Sequence, residues 1–239
     1  MNPRILVKLD YWLGRPLCGV LTLVRYVTAP YRAPASGPPR KILFIKFEEQ
    51  GALVLAAEAF QRAIEMVGEQ NVYCCLFSKN RPILDLLGLL RPENVLTIDL
   101  SNPFAALTSS WRVIDRVRAL RIDAIIDLEG FARMSAAFAF LCGGTRRVGW
   151  HRFTGEAPFR GDLMTHRLAY TPYLHAAQQF TAQVDALRHD PGDVPSVEAV
   201  RRPRPRTSPG NLASRNSAGS SPSRIYSSPT TAAPATSRR

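Results

Sequence analysis

The stretch Lys41 to Phe60, KILFIKFEEQGALVLAAEAF, decides the fold. A short apolar run, Ile42 to Ile45, ends in Lys46-Phe47. A polar turn follows with two carboxylates, Glu48 and Glu49, then Gln50 and Gly51. Apolar residues then recur at helical spacing, at Leu53, Leu55, Ala56 and Phe60. Strand, tight loop and helix in this order open a parallel α/β sheet. Ligands of such sheets sit at the carboxyl ends of the strands, so this loop is where chemistry is expected. Gly51 allows close backbone approach or a positive φ there. A phosphate-cradling role is weakly supported, because no G-x-G-x-x-G surrounds it.

The same alternation continues to residue 150. Val72–Phe77, Asn94–Leu100 and Asp123–Leu128 read as strands, and Arg146–Trp150 as a candidate fifth. Arg81–Gly88, with Pro82 in its first turn, Pro103–Leu120 and Phe131–Leu141 read as helices. Apolar strands of this length between helices imply βαβ crossovers and a sheet covered on both faces. Right-handed crossovers then give a Rossmann-like α/β fold, a parallel sheet with helices on both faces. Residues 151–190 are less regular, with a helix expected over Tyr173–Leu187.

The two ends of the chain differ from this body. Residues 1–40 form an N-terminal apolar or amphipathic helix and a Pro-rich linker; the sheet domain is 41–195; 196–239 is a basic tail. Tyr11–Val27 is interrupted by Arg15, Pro16 and Arg25, too short and too charged to span a membrane. Two placements fit it, a helix in the membrane interface or one packed on the domain's own surface. Residues 201–239 hold eight arginines, six prolines and nine serines and no acidic residue. Such a segment cannot bury enough surface to offset its ordering entropy. It reads as a frameshifted product of a GC-rich gene, or else as a native disordered tail. Of the formal charge of +12, this tail supplies +8, which leaves +4 for residues 1–200. The high pI therefore gives no general nucleic-acid signal. Cys18, Cys74, Cys75 and Cys142 form no C-x-x-C pair and read as small core residues of a reducing cytosol.

Four segments, in order over about 140 residues, resemble the family 9 glycosyltransferases, the bacterial lipopolysaccharide heptosyltransferases. Lys41–Phe60 resembles their opening K-I-L-x-I-R-x-x-x-x-G-D-x-L-L-x-x-P-A-L. Ile125–Ala136, IIDLEGFARMSA, resembles I-D-x-Q-G-x-x-K-S-A, and Thr145–Trp150, TRRVGW, resembles a strand ending in R-x-G-F. Arg160–His175, RGDLMTHRLAYTPYLH, resembles a subgroup stretch ending in a helix-starting histidine. The resemblance implies the N-terminal, acceptor-side half of a two-domain GT-B-type enzyme. Such an enzyme moves a sugar from a nucleotide-sugar donor to a lipopolysaccharide or other lipid-linked saccharide. Nothing after residue 195 reads as a second sheet, so the chain alone is expected to be inactive.

Where the family pattern has Gly-Asp, its general base, this chain has Gly51-Ala52. Glu48 or Glu49 is then the candidate base, since displacement needs one carboxylate within reach of the acceptor hydroxyl. Solvated loop carboxylates are the plain alternative. Asp127 and Glu129 are either cleft carboxylates or strand-end caps. For an anionic sugar-lipid acceptor the resemblance points to Lys46, Gly51 and Arg133, the last near the family's lysine with a one-residue offset. Arg152, Arg160, His166 and Arg167 join them as part of a cationic cluster that also includes Arg146, Arg147, His151 and His175. Surface solvation and lipid headgroups are other uses of such a cluster. Tyr170 and Tyr173 are candidate sugar-stacking rings. No metal or other cofactor is implied, and no nucleic-acid partner is expected. The expected location is cytoplasmic, with peripheral contact at the inner membrane left open. A non-catalytic module binding anionic glycolipid at the membrane surface is the alternative function.

Overall fold

The computed structural model describes residues 8, 10–29, 37–130, 132–152 and 160–189, with backbone alone at 151 and 152. All of them lie in one compact unit, Met1–Pro203. The segment 196–239 and most of the Pro-rich linker lie outside the described residues.

Six strands form one sheet: β1 (Ile42–Ile45), β2 (Val72–Phe77), β3 (Val95–Ile98), β4 (Ala124–Asp127), β5 (Arg146–Arg152) and β6 (His166–Ala169). Every pairing is parallel, and the spatial order is β3-β2-β1-β4-β5-β6. That order is the doubly wound Rossmann arrangement. The central strands β1 and β2 are apolar throughout, and β4 is apolar up to its terminal Asp127, because both faces are covered. In β1 all four residues are buried. Ile42 and Phe44 join the core on one face, and Leu43 and Ile45 join the core on the other.

The first face is covered by α2 (Gln50–Leu55), α3 (Ala57–Val67), α4 (Arg81–Leu87) and α7 (Ala176–Ala186). The second is covered by α1 (Gly14–Thr28), α5 (Pro103–Ala119) and α6 (Arg133–Leu141). The helix expected after the first loop is therefore two helices, broken at Ala56, whose N–H reaches back to the Ala52 and Leu53 carbonyls. The sixth strand, HRLA, lies in a stretch read as irregular. It is an edge strand of four residues, half of them polar, so it carries no apolar run.

The N-terminal helix α1 packs on α6. The fit needs two glycines. A Cβ on Gly14 would lie 2.7 Å from Arg133 Cβ, and one on Gly161, at φ +68°, would lie 2.5 Å from Thr22 Oγ1. Polar contacts complete the dock. Asp10 accepts hydrogen bonds from the Arg133 and Met134 N–H groups, at 2.7 and 2.8 Å, and pairs with the Arg133 guanidinium at 3.1 Å. It thereby caps α6 from more than a hundred residues away. At the other end Arg25 and Tyr26 reach Asp162.

Asp10→Ala should lower stability by about 1–2 kcal/mol, the usual worth of a helix N-cap. It should also speed proteolytic cleavage within residues 8–28. Urea unfolding and limited proteolysis check both, and an unchanged midpoint with unchanged cleavage would contradict the cap.

Candidate functional site

β1 and β4 are neighbours, but the chain leaves them towards opposite faces, into α2 and α3 from β1 and into α6 from β4. Open α/β sheets bind their ligands in a crevice between two such strand ends, at the topological switch point. Three charged side chains meet there. Lys46 Nζ lies 3.3 Å from Glu49 Oε2 and 3.4 Å from Glu129 Oε1. The lysine side chain is 2% exposed, whereas that of Glu49 is 75% exposed.

The loop carrying Glu48 and Glu49 is held from both sides. Glu129 Oε1 accepts from the Phe47 N–H at 2.7 Å and the Glu48 N–H at 3.0 Å. From the β2 side, buried Asn80 donates to the Phe47 carbonyl at 2.7 Å. The Phe47 ring stacks on Phe77, centroids 5.0 Å apart, and meets Phe138 edge-on. With the loop fixed this tightly, the chain turns at Glu49, which adopts φ 61°, ψ 86°. A left-handed conformation at a residue other than glycine is strained. Gly51, read as allowing close backbone approach or a positive φ, takes no positive φ and lies within helix α2 with open space around it. Ala52 is buried on the same helix.

Asp127 and Glu129 are both buried, and both serve as strand-end anchors. The Asp127 carboxylate pairs with Arg160, accepts from Ser135 Oγ at 2.9 Å and accepts from the Glu129 N–H at 3.1 Å. Burial pushes its pKa up to about 6, with the Glu129 charge adding to the rise and Arg160 opposing it. Gln183, fully buried on α7, bridges the strand ends, its amide nitrogen donating to the Asp127 carbonyl and its oxygen accepting from Trp150 Nε1, both at 3.1 Å.

The expected cationic cluster is dispersed into the architecture. Arg160 is buried and donates to the carbonyls of Ala132, Gly130 and Trp150 besides its bond to Asp127. Arg147 donates to the Leu163 and Gly144 carbonyls and lies over the Phe140 ring. Arg146 pairs with Asp123. Buried His166 lies between Thr165 Oγ1 at 2.9 Å and the His189 carbonyl at 3.1 Å. Arg167 pairs with Asp162. Arg133 is buried between Asp10 and α1, with the Tyr11 ring 5.6 Å away. The side chains of His151 and Arg152 lie outside the described residues. His175 is exposed and caps α7 through Nδ1. Tyr170 meets Trp150 edge-on, and Tyr173 is exposed.

So the switch point unites Lys46, Glu49 and Glu129, and no shared basic pocket forms from Arg133, Arg160, His166 and Arg167. Asn80, Gln183 and Asp10 carry structural roles that their local sequence does not announce, since each partner is distant along the chain. All four cysteines are free and buried. Burial raises their thiol pKa values, that of Cys18 to about 11. Among the described residues no group of three or more His, Cys, Asp or Glu side chains converges to hold a metal ion. No described helix is long and apolar enough to cross a membrane.

No protein-family model matches the chain, and no curated protein matches it. Among solved structures it is similar to the E. coli ADP-heptose LPS heptosyltransferase II, at 15% identity and a TM-score of 0.49, over 69% of this chain and 44% of that one. It is also similar to a family 9 glycosyltransferase from Veillonella parvula, at 12% identity and 0.49, over 62% and 41%. A third is the E. coli heptosyltransferase WaaC solved with ADP-2-deoxy-2-fluoro heptose, at 13% identity and 0.48, over 70% and 50%. The chain thus spans half or less of the length of each of these structures.

Asp127 gives a signed pH dependence. Its folded-state pKa, about 6, lies above the 3.8 of an unperturbed Asp. The folded state therefore binds the proton more tightly, and this contribution to stability is complete below pH 4 and is lost as pH rises through 6. The stability of wild type minus that of Asp127→Asn should fall by up to roughly 3 kcal/mol between pH 4 and pH 7, at 1.36 kcal/mol per pKa unit. Urea unfolding of both proteins across that range measures it, and a difference that grows with pH would contradict the assignment.

Proposed function

We propose that this chain is the acceptor-side half of a heptosyltransferase-like, inverting glycosyltransferase. Its acceptor is a lipopolysaccharide or other lipid-linked saccharide, and its sugar comes from a nucleotide-sugar donor. One observation carries the reading. An exposed carboxylate, Glu49, is tethered by buried Lys46 at the switch point of the sheet, in the loop whose sequence resembles the family's base-bearing segment.

Between the two candidates the geometry favours Glu49. Its carboxylate shares the Lys46 ammonium with Glu129, so it is drawn over the crevice between β1 and β4. Glu48 contributes its backbone N–H to the anchoring of the loop. In the reaction, Glu49 accepts the proton of the acceptor hydroxyl while that oxygen bonds to the anomeric carbon of the donor sugar. The bond from that carbon to the diphosphate oxygen breaks, and the nucleoside diphosphate leaves with the electron pair. Lys46 is a positioning residue, holding the carboxylate beside the crevice. Charge on the departing diphosphate needs cations facing it, which the resemblance assigns to the donor-binding half of such an enzyme. Lys46 and Gly51 line the loop the acceptor would approach. Arg133, Arg160, His166 and Arg167 act by holding the walls in place.

The alternative is a module that binds anionic glycolipid without turnover. Ala52 favours it, because the residue at the family's own base position is buried and carries no carboxylate.

Titration with a phosphorylated lipid-linked oligosaccharide should show saturable binding by the chain. Transfer should appear once the nucleotide-sugar-binding domain of a complete heptosyltransferase is supplied. In that assay Glu49→Gln should lower kcat by roughly 10²–10⁴-fold, the range for a lost general base, with the acceptor KM little changed and Glu48→Gln close to wild type. Binding with no transfer under any arrangement would favour the binding module, and a loss confined to Glu48→Gln would move the base by one residue.

A further inference from the structure

The inner face of α1 is fully employed, and its outer face is not. Gly14, Cys18 and Leu21 are buried against the domain, and Arg25 turns inward to Asp162. At 100° per residue the opposite side of the helix carries Val20, Leu23 and Val27, flanked by Val24, all exposed, while exposed Tyr26 donates its hydroxyl to Asp162. Trp12, just before the helix, is 73% exposed, and Leu23 is 64% exposed. Gly14–Thr28 contains no acidic residue, and its outward charge is Arg15. Contiguous exposed apolar surface of this kind marks an interaction site.

Charge identifies the occupant. Residues 1–40 contain six Lys and Arg against one Asp, a net of +5. Residues 41–200 contain seventeen against eighteen Asp and Glu, a net of −1. The positive charge of the body is thus concentrated in the segment that bears the apolar face. A cationic helix with an aromatic and aliphatic face, too short to span, fits the interface of an anionic bilayer.

We propose that the outer face of α1 docks this protein on an anionic lipid surface, with Trp12, Leu23 and Val27 entering the headgroup region and Lys8 and Arg15 facing lipid phosphates. This inference goes beyond the transferase reading and does not rest on it, because it requires no saccharide. The docked inner face fixes how the protein sits. The N-terminal end of α1 lies beside the start of α6, at the carboxyl edge of the sheet, so a bound membrane would lie alongside the edge that carries Glu49.

The test is co-sedimentation of the full chain with vesicles of phosphatidylglycerol and phosphatidylcholine in equal parts, against pure phosphatidylcholine. Binding to the anionic vesicles is expected, with a blue shift of tryptophan emission that Trp12→Phe diminishes. Leu23→Glu combined with Val27→Glu should weaken binding at least tenfold. Arg15→Gln should weaken it roughly fivefold, as expected for one cation near an anionic surface. All variants keep the arginine-rich 201–239 segment, so the losses read the helix. The substituted side chains are exposed, and an unchanged thermal midpoint verifies the fold. Vesicle binding that survives Leu23→Glu with Val27→Glu would overturn the proposal. So would a wild-type dimer, dissolved by the same pair, that ignores vesicles, since a second copy would then be the occupant.

Discussion

One carboxylate oxygen sets the geometry of the switch point. Glu129 Oε1 accepts from the Phe47 and Glu48 N–H groups and lies within reach of Lys46 Nζ. A buried carboxylate is tolerated when donors of this kind surround it. Here they all come from the strand next door, so satisfying Glu129 also pins the exit of β1 to the end of β4. Asn80 closes the other side by holding the Phe47 carbonyl. The loop then has to turn within one or two residues, and the left-handed backbone falls on Glu49. Such a conformation costs on the order of 1–3 kcal/mol and persists where the surroundings over-determine it. The hydrogen bonds on either side of Phe47 provide that over-determination.

How far the sequence could be read follows from burial. β1, β2 and β4 are covered on both faces, and each appears as an apolar run close to its observed limits, that of β4 ending in Asp127. β6 is an edge strand whose His166 reaches the His189 carbonyl and whose Arg167 pairs with Asp162, so its polar residues hide it. The loop with Glu48 and Glu49 was legible as a turn because polar residues followed a buried strand. Which residue there would take the positive φ was not. That is decided by Glu129 and Asn80, more than eighty and thirty positions away. The cationic cluster failed for a related reason. Proximity in sequence brings Arg146, Arg147, Arg160 and Arg167 together, yet each side chain is drawn to a different carbonyl or carboxylate.

The first helix shows why two readings of one amphipathic segment need not exclude each other. A helix of fifteen residues presents two sides. Glycine at position 14 and the thiol at 18 let one of them approach α6 closely. The other side repeats exposed aliphatic residues, with Arg15 as its outward charge. Packing on the domain accounts for the small residues and leaves the large exposed ones unexplained. An interfacial placement accounts for those and leaves the small ones unexplained. Both faces are needed to account for the composition of the segment.

Charge at the switch point bears on what the crevice can hold. Lys46 contributes one positive charge, while Glu49 and Glu129 contribute two negative ones within 3.4 Å of it. The local balance is negative, which suits a group that removes a proton and disfavours a phosphate placed directly above it. Arginine, the side chain best shaped for phosphate, is withdrawn at Arg133 and Arg160 into internal ion pairs with Asp10 and Asp127. An anionic acceptor would therefore present a neutral hydroxyl to Glu49 and keep its phosphates away from the β1–β4 crevice. Under the transferase reading, the carboxylate proposed as the base is thus left without an arginine partner among the described residues, its one cationic contact there being Lys46.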